Sequence, residues 1–115
     1  MKNVDLIIIG GGPAGYETAL LAAKNGLQTV LIESKKLGGT CLNEGCIPTK
    51  CLCRSAEIKR LLGSHNTLNT FGVEDISYSF NINNAIQRKN QVVDTLNGGI
   101  KAMLKAVGVE VIYGN

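Results

Sequence analysis

Apolar residues cluster in a few short blocks separated by glycine-rich or polar stretches. Leu6, Ile7, Ile8 and Ile9 form an unbroken apolar run, which predicts a strand over residues 4–9. A continuous run of this kind suits a parallel strand covered on both faces. Three glycines follow, then Pro13, whose missing N–H costs nothing in the first turn of a helix. Ala19, Leu20, Ala22 and Ala23 supply a small apolar face, so the helix is expected to run to Asn25, where Asn25-Gly26 stops it. A second strand is expected over residues 29–32, closed by Glu33. Strand, helix and strand make a right-handed βαβ unit.

Beyond it, a loop carrying two cysteines leads into a helix predicted for residues 48–62. Residues 63–79 are polar and rich in turn formers, and read as loop. Residues 81–107 predict one long helix, with Ile86, Val92 or Val93, Leu96, Ile100, Met103 or Leu104, and Val107 at helical spacing. Gly98-Gly99 interrupts this pattern, predicting close packing or a local bend. A third strand is expected over residues 109–113. The chain ends just after it, so the fold class is α/β, a Rossmann-like βαβ unit with a parallel sheet that is incomplete. Residues 1–115 are expected to be the N-terminal piece of a longer enzyme.

Composition narrows the function classes. The chain has 115 residues, 44% hydrophobic and 18% charged, enough for one folded domain. A net charge of +3, without a dense Lys/Arg stripe or interleaved aromatics, argues against nucleic acid. The apolar runs are too short to span a membrane. A strand starting by Val4 leaves no room for a basic-then-apolar leader, so a cytoplasmic setting, or a processed chain, is expected. Four cysteines in such a chain point to redox or metal chemistry before structural stapling.

Gly10-x-Gly12-x-x-Gly15 sits where the first strand passes into the helix. Gly10 permits the tight turn, Gly12 lets the backbone approach a pyrophosphate, and Gly15 lets the helix pack near the strand. The helix N-terminus offers unpaired N–H groups and a positive dipole end. Glu33 lies 18 residues beyond Gly15, at the end of the second strand. A carboxylate there accepts from ribose hydroxyls and repels a 2′-phosphate, which excludes NADP but leaves NAD and FAD.

Cys41 and Cys46 have four residues between them, and on a turn leading into a helix they can approach disulfide distance. A dithiol beside a dinucleotide ring is arranged for two-electron exchange, and a helix N-terminus would favour the thiolate. Two other readings stand beside it. The four cysteines together read C-x4-C-x4-C-x-C, a spacing that fits neither common zinc pairs nor plant-type iron–sulfur ligation. Buried cysteines can also serve as small apolar residues, the expectation for Cys51 and Cys53, which face different ways on the predicted helix. Lys50 would stabilise negative charge on a thiolate or a reduced ring, unless it is a solvated helix lysine. His65 is expected to be a surface loop histidine.

The segment Gly38-Gly39-Thr40-Cys41-Leu42-Asn43-Glu44-Gly45-Cys46-Ile47-Pro48-Thr49-Lys50, with Gly10-Gly11-Gly12-Pro13-Ala14-Gly15 and Glu33, closely resembles the flavin disulfide reductases. Within them it is most similar to the dihydrolipoamide dehydrogenase branch, whose segment typically reads GGTCLNxGCIPSK. Glutathione- and mercuric-reductase-like flavoenzymes, the alternative, tend to carry Val where Leu42 and Ile47 stand. A non-catalytic flavin-binding redox module is the remaining alternative. The resemblance covers essentially the whole chain, including the stretch Gln91 to Ile100.

The resemblance implies FAD as cofactor and oxidation of dihydrolipoamide with NAD⁺ as acceptor. It places Gly10, Gly12, Pro13, Ala14 and Gly15 along the pyrophosphate and Glu33 on the adenosine ribose. Ser34, Gly39, Thr40, Cys41, Cys46 and Lys50 would line the rest of the cofactor, with Gly114 near the adenine. Cys41 would be the interchange thiol, Cys46 the charge-transfer thiol, and Lys50 would sit near the flavin N5. The implied partners are lipoyl groups carried on a 2-oxo acid dehydrogenase complex or a glycine cleavage lipoyl protein, with the full-length enzyme a homodimer. Glu44 departs from the apolar residue usual there, and Cys51 and Cys53 depart from the usual Ala and Leu. The family's NAD-binding and interface domains, the latter with its His–Glu base, have no counterpart in residues 1–115, so turnover by this chain alone is not expected.

Overall fold

The computed structural model describes residues 3–114. Its elements in order are β1 (Leu6–Ile9), α1 (Pro13–Lys24), β2 (Thr29–Glu33), α2 (Gly39–Asn43), α3 (Cys46–Leu62), α4 (His65–Thr70), α5 (Ile82–Ala106) and β3 (Glu110–Tyr113). The three strands form one parallel sheet in the order β1-β2-β3. Leu6 pairs with Thr29 and Ile9 with Ile32, while Val30 pairs with Glu110 and Glu33 with Tyr113.

Two parallel crossovers that advance in the same direction place their helices on one face of the sheet, since both are right-handed. α1 and α5 accordingly pack on each other and on the same face. Ala19 and Leu20 of α1, Leu31 of β2, and Ile100 and Leu104 of α5 meet there with Leu37 and Val109 to form the core. On the other face the edge strands are open, with Ile7 and Ile9 of β1 55% and 84% exposed and Ile112 of β3 45% exposed, while Val30 of the central strand is buried. Within residues 3–114 the run Leu6–Ile9 is packed against helices on one face only.

Local chemistry sets the ends of α1. Asn25 caps its C-terminus, its side-chain amide donates to the Leu21 carbonyl at 2.8 Å, and Gly26 follows at φ +86°. Gly15 lies against the end of β1, and a Cβ there would stand 1.8 Å from the Gly10 carbonyl oxygen. Helix and strand can approach this closely only at glycine.

Several expectations need correction. The cysteine segment is not all loop, because Gly39–Asn43 forms the short helix α2. α3 begins at Cys46, two residues before Pro48. Pro48 is tolerated at the third helical position because first-turn N–H groups have no intrahelical partner anyway. Within the stretch read as loop, His65–Thr70 forms α4, so exposed His65 opens a helix instead of lying in a loop. Its single buried residue, Leu68, supplies no periodicity to read. α5 runs unbroken through Gly98-Gly99, and a Cβ at either glycine would meet nothing within 4 Å. Of its expected apolar face, Val93, Ile100 and Leu104 are buried, whereas Ile86, Leu96 and Met103 are exposed.

α3 packs along α5 and carries the chain away from the sheet, giving extents of 69 × 26 × 18 Å. No helix among the described residues is long and apolar enough to cross a membrane.

Two glycine substitutions should separate in sign. Gly15→Ala forces a Cβ into the Gly10 carbonyl and is expected to destabilise the chain by at least about 1–3 kcal/mol. Gly98→Ala adds a methyl in open space on a helix and is expected to stabilise it by about 0.5–1 kcal/mol. Denaturant unfolding of both variants checks this.

Candidate active site

The site is built where the turn after β1 meets the segment after β2. Gly10, at φ +100°, bends the chain out of the strand, and its N–H donates to the Ile32 carbonyl at 2.7 Å. Gly12 is the N-cap of α1 and Pro13 its first residue, and no side chain caps this end. The first-turn N–H groups, including those of Ala14 and Gly15, are thus left to an outside acceptor.

Glu33 braces this turn from β2. Its Oε2 accepts from the Gly11 N–H at 2.6 Å and its Oε1 from the Lys35 N–H at 2.7 Å. The Lys35 N–H holds the Glu33 carboxyl below the ordinary glutamate value. Burial opposes this, and the Gly11 and Ser34 N–H groups with the Lys35 charge add to the lowering. A carboxylate accepts about four hydrogen bonds, so it keeps capacity for further donors. Ser34 is exposed beside it. The Gly114 N–H donates to the Glu33 carbonyl at 3.1 Å, which brings the end of the chain to the same corner. A cavity of about 620 Å³ opens there, lined by Glu33, Lys35, Lys36, Gly39, Thr40, Asn43, Glu44, Lys89, Asn90, Val93 and Asp94.

The cysteine segment meets the turn through close backbone contact, with the Leu37 side chain lying against Gly11. The Gly38 N–H donates to the Gly11 carbonyl at 2.8 Å. Gly39 lies so close that a Cβ on it would stand 3.0 Å from the Gly12 Cα and 3.3 Å from the Pro13 Cδ. Both glycines adopt positive φ, 94° and 66°. α2 then carries Cys41, and Cys46 is the first residue of α3. The two are joined by a disulfide with a Cα–Cα distance of 4.8 Å, and both residues are exposed. Gly45 permits this approach, since a Cβ there would lie 3.1 Å from the Thr40 carbonyl oxygen and 3.2 Å from the Cys41 Cα. A thiolate on Cys46 would face the positive end of the 17-residue α3.

Lys50 is exposed on α3, about one helical turn beyond Cys46. Cys51 is buried and Cys53 exposed, both as free thiols. Glu44 faces solvent. The Cys41–Cys46 pairing takes two cysteines out of the C-x4-C-x4-C-x-C array. Among the described residues, no three of His, Cys, Asp and Glu are grouped to hold a metal ion.

One residue of this site was not singled out from the sequence. Asn43 ends α2, and its side-chain amide donates to the carbonyls of Leu37 and Gly39, each at 2.9 Å. Its Oδ1 accepts from the Asn97 side chain on α5 at 2.7 Å. A partner 54 positions away leaves no local signal.

Residues 4–115 match the pyridine nucleotide-disulphide oxidoreductase family. The chain belongs to that family. It is 44% identical over 110 residues to a dihydrolipoyl dehydrogenase of Bacillus subtilis, covering 96% of this chain and 23% of that protein. It is 41% identical over 112 residues to one of Pseudomonas aeruginosa, covering 97% and 24%. Among solved structures it resembles the Cu(II) complex of RclA, an HOCl-induced flavoprotein disulfide reductase from Escherichia coli. That match has a TM-score of 0.71 and 34% identity, over 96% of this chain and 22% of that one. The chain thus spans about a quarter of the length of the relatives it matches. In this member of the oxidoreductase family, the glycine turn after β1 and the segment that carries the disulfide meet at Gly12 and Gly39.

Glu33→Gln tests the brace. The folded carboxyl titrates below its unfolded value, so its stabilisation is complete above the ordinary glutamate range and is lost as pH falls through the lowered value. Near neutral pH the variant is expected to lose about 1–3 kcal/mol. Its unfolding free energy should also fall less steeply than that of the parent on the acid side, as denaturant titrations at a series of pH values would show.

Proposed function

We propose that this chain is the FAD-binding, disulfide-bearing part of an enzyme that oxidises dihydrolipoamide with NAD⁺ as acceptor. The observation that carries the reading is the backbone lock of Gly38-Gly39 onto Gly11-Gly12. It sets a solvent-open disulfide beside a helix N-terminus prepared for phosphate.

The residues fit FAD. The uncapped end of α1 takes the pyrophosphate, the glycine pair Gly12 and Gly39 keeps that cradle free of side chains, and Glu33 holds spare acceptor capacity for the ribose hydroxyls. Gly114 would lie near the adenine, with Ser34 and Thr40 along the rest of the cofactor. FAD, when bound, supplies the two-electron acceptor.

The chain's own part is thiol–disulfide exchange. A thiolate of dihydrolipoamide attacks Cys41 Sγ, forming a mixed disulfide and releasing Cys46 as thiolate. The second substrate thiol displaces Cys41, giving the cyclic disulfide product and leaving the electron pair on the two cysteines. The N-terminal end of α3 stabilises the Cys46 thiolate, with Lys50 about one turn on adding positive charge. Glu44 faces water, where its opposing charge is screened.

On this reading, NAD⁺ binding, the base and homodimer formation would fall to domains outside residues 1–115. The substrates on this reading are lipoyl groups on a 2-oxo acid dehydrogenase complex or a glycine cleavage lipoyl protein. Free Cys51 and Cys53 agree with a cytoplasmic setting.

Chain incubated with FAD should turn yellow and keep the flavin through gel filtration. Dihydrolipoamide should then expose a pair of new thiols, and Cys41→Ser or Cys46→Ser should abolish that gain. A chain that retains no flavin and whose disulfide resists dihydrolipoamide would overturn the reading.

A further inference from the structure

α2 has five residues, too few to hold a helix by its own hydrogen bonds, and no side chain caps its start. Yet it carries Cys41, whose distance from Cys46 governs the chemistry of the pair. Apolar contact supplies one anchor. Leu37, 1% exposed, lies in the core just before α2, and Leu42 packs against that core. Asn43 supplies the polar anchor. Its two amide hydrogens reach the Leu37 and Gly39 carbonyls, closing residues 37–43 on themselves. Its oxygen accepts from Asn97, which stands on α5 one turn before core residue Ile100. Both asparagines are half-buried, so these bonds are partly shielded from water.

The geometry points to Asn43, clamped by Asn97, as the positioning residue that holds Cys41 against Cys46 when the disulfide is open. This rests on the reading of Cys41–Cys46 as a working redox pair. Two thiols held close have a high effective concentration for each other, which favours the disulfide. Release of α2 lets them separate and favours the dithiol. An aspartate at position 43 keeps the shape but cannot donate, and it sets a carboxylate against the Leu37 and Gly39 carbonyl oxygens.

The test is equilibration of the chain in glutathione buffers, in which two glutathione thiols reduce the protein disulfide and leave as one glutathione disulfide. For Asn43→Asp the equilibrium is expected to shift about tenfold toward the dithiol, equivalent to about 30 mV. Asn97→Ala, which leaves the Asn43 amide intact, should shift it three- to fivefold in the same direction. It carries the test alone if Asn43→Asp does not fold. A role in stability only would lower the melting temperature of the oxidised variants but leave this equilibrium within twofold of the parent, and that result overturns the inference. A parent disulfide that does not equilibrate with glutathione at all contradicts the redox reading itself, and with it the role assigned to Asn43.

Discussion

The arrangement depends on one backbone-to-backbone contact, the approach of Gly39 to Gly12 with the hydrogen bond from Gly38 N–H to the Gly11 carbonyl. Side chains are excluded from both strands of this contact. That exclusion leaves the N-terminus of α1 open to a ligand and lets the segment bearing Cys41 leave from the same point. By the proposed reading, phosphate recognition and thiol exchange would share one junction, so that neither could be moved without moving the other.

Around that junction two polar side chains act as braces. Glu33 draws the Gly10–Gly12 turn and the chain after β2 toward one carboxylate, and Asn43 draws the far end of α2 back onto its start and onto α5. Each satisfies backbone groups that a turn would otherwise leave unpaired, so each is specific to its residue type: Glu33 must accept, and Asn43 must both donate and accept. The core beneath, Leu31, Leu37 and Leu104 among it, fixes the elements on which these braces pull.

Much of this was legible in the sequence. The apolar run, the glycine spacing and the terminal acid gave the βαβ unit with element ends within about two residues, because each is a short-range signal. The cysteine spacing and its neighbouring glycines pointed to the pair Cys41 and Cys46, which a disulfide joins. What could not be read depends on distance in the chain. α2 is tied to α5 through Asn43 and Asn97 and to the first turn through packed glycines, while α4 buries a single leucine and so has no periodicity to read. Within residues 3–114 both crossover helices lie on one face of the sheet, so nothing among them covers the outer face of β1, whose composition reads as covered on both sides. The hydrogen bonds of Glu33 to the Gly11 and Lys35 amides are likewise set by the packing of two turns and have no sequence signal of their own.

The most direct test of the shared junction is the absorbance of flavin-loaded chain after one equivalent of dihydrolipoamide. A Cys46 thiolate lying against the flavin should add a long-wavelength band, and Gly39→Val, which drives a side chain into Gly12, should abolish it. Flavin that stays bound to the parent chain while no such band develops would show that the disulfide and the cofactor do not meet, and would contradict the account.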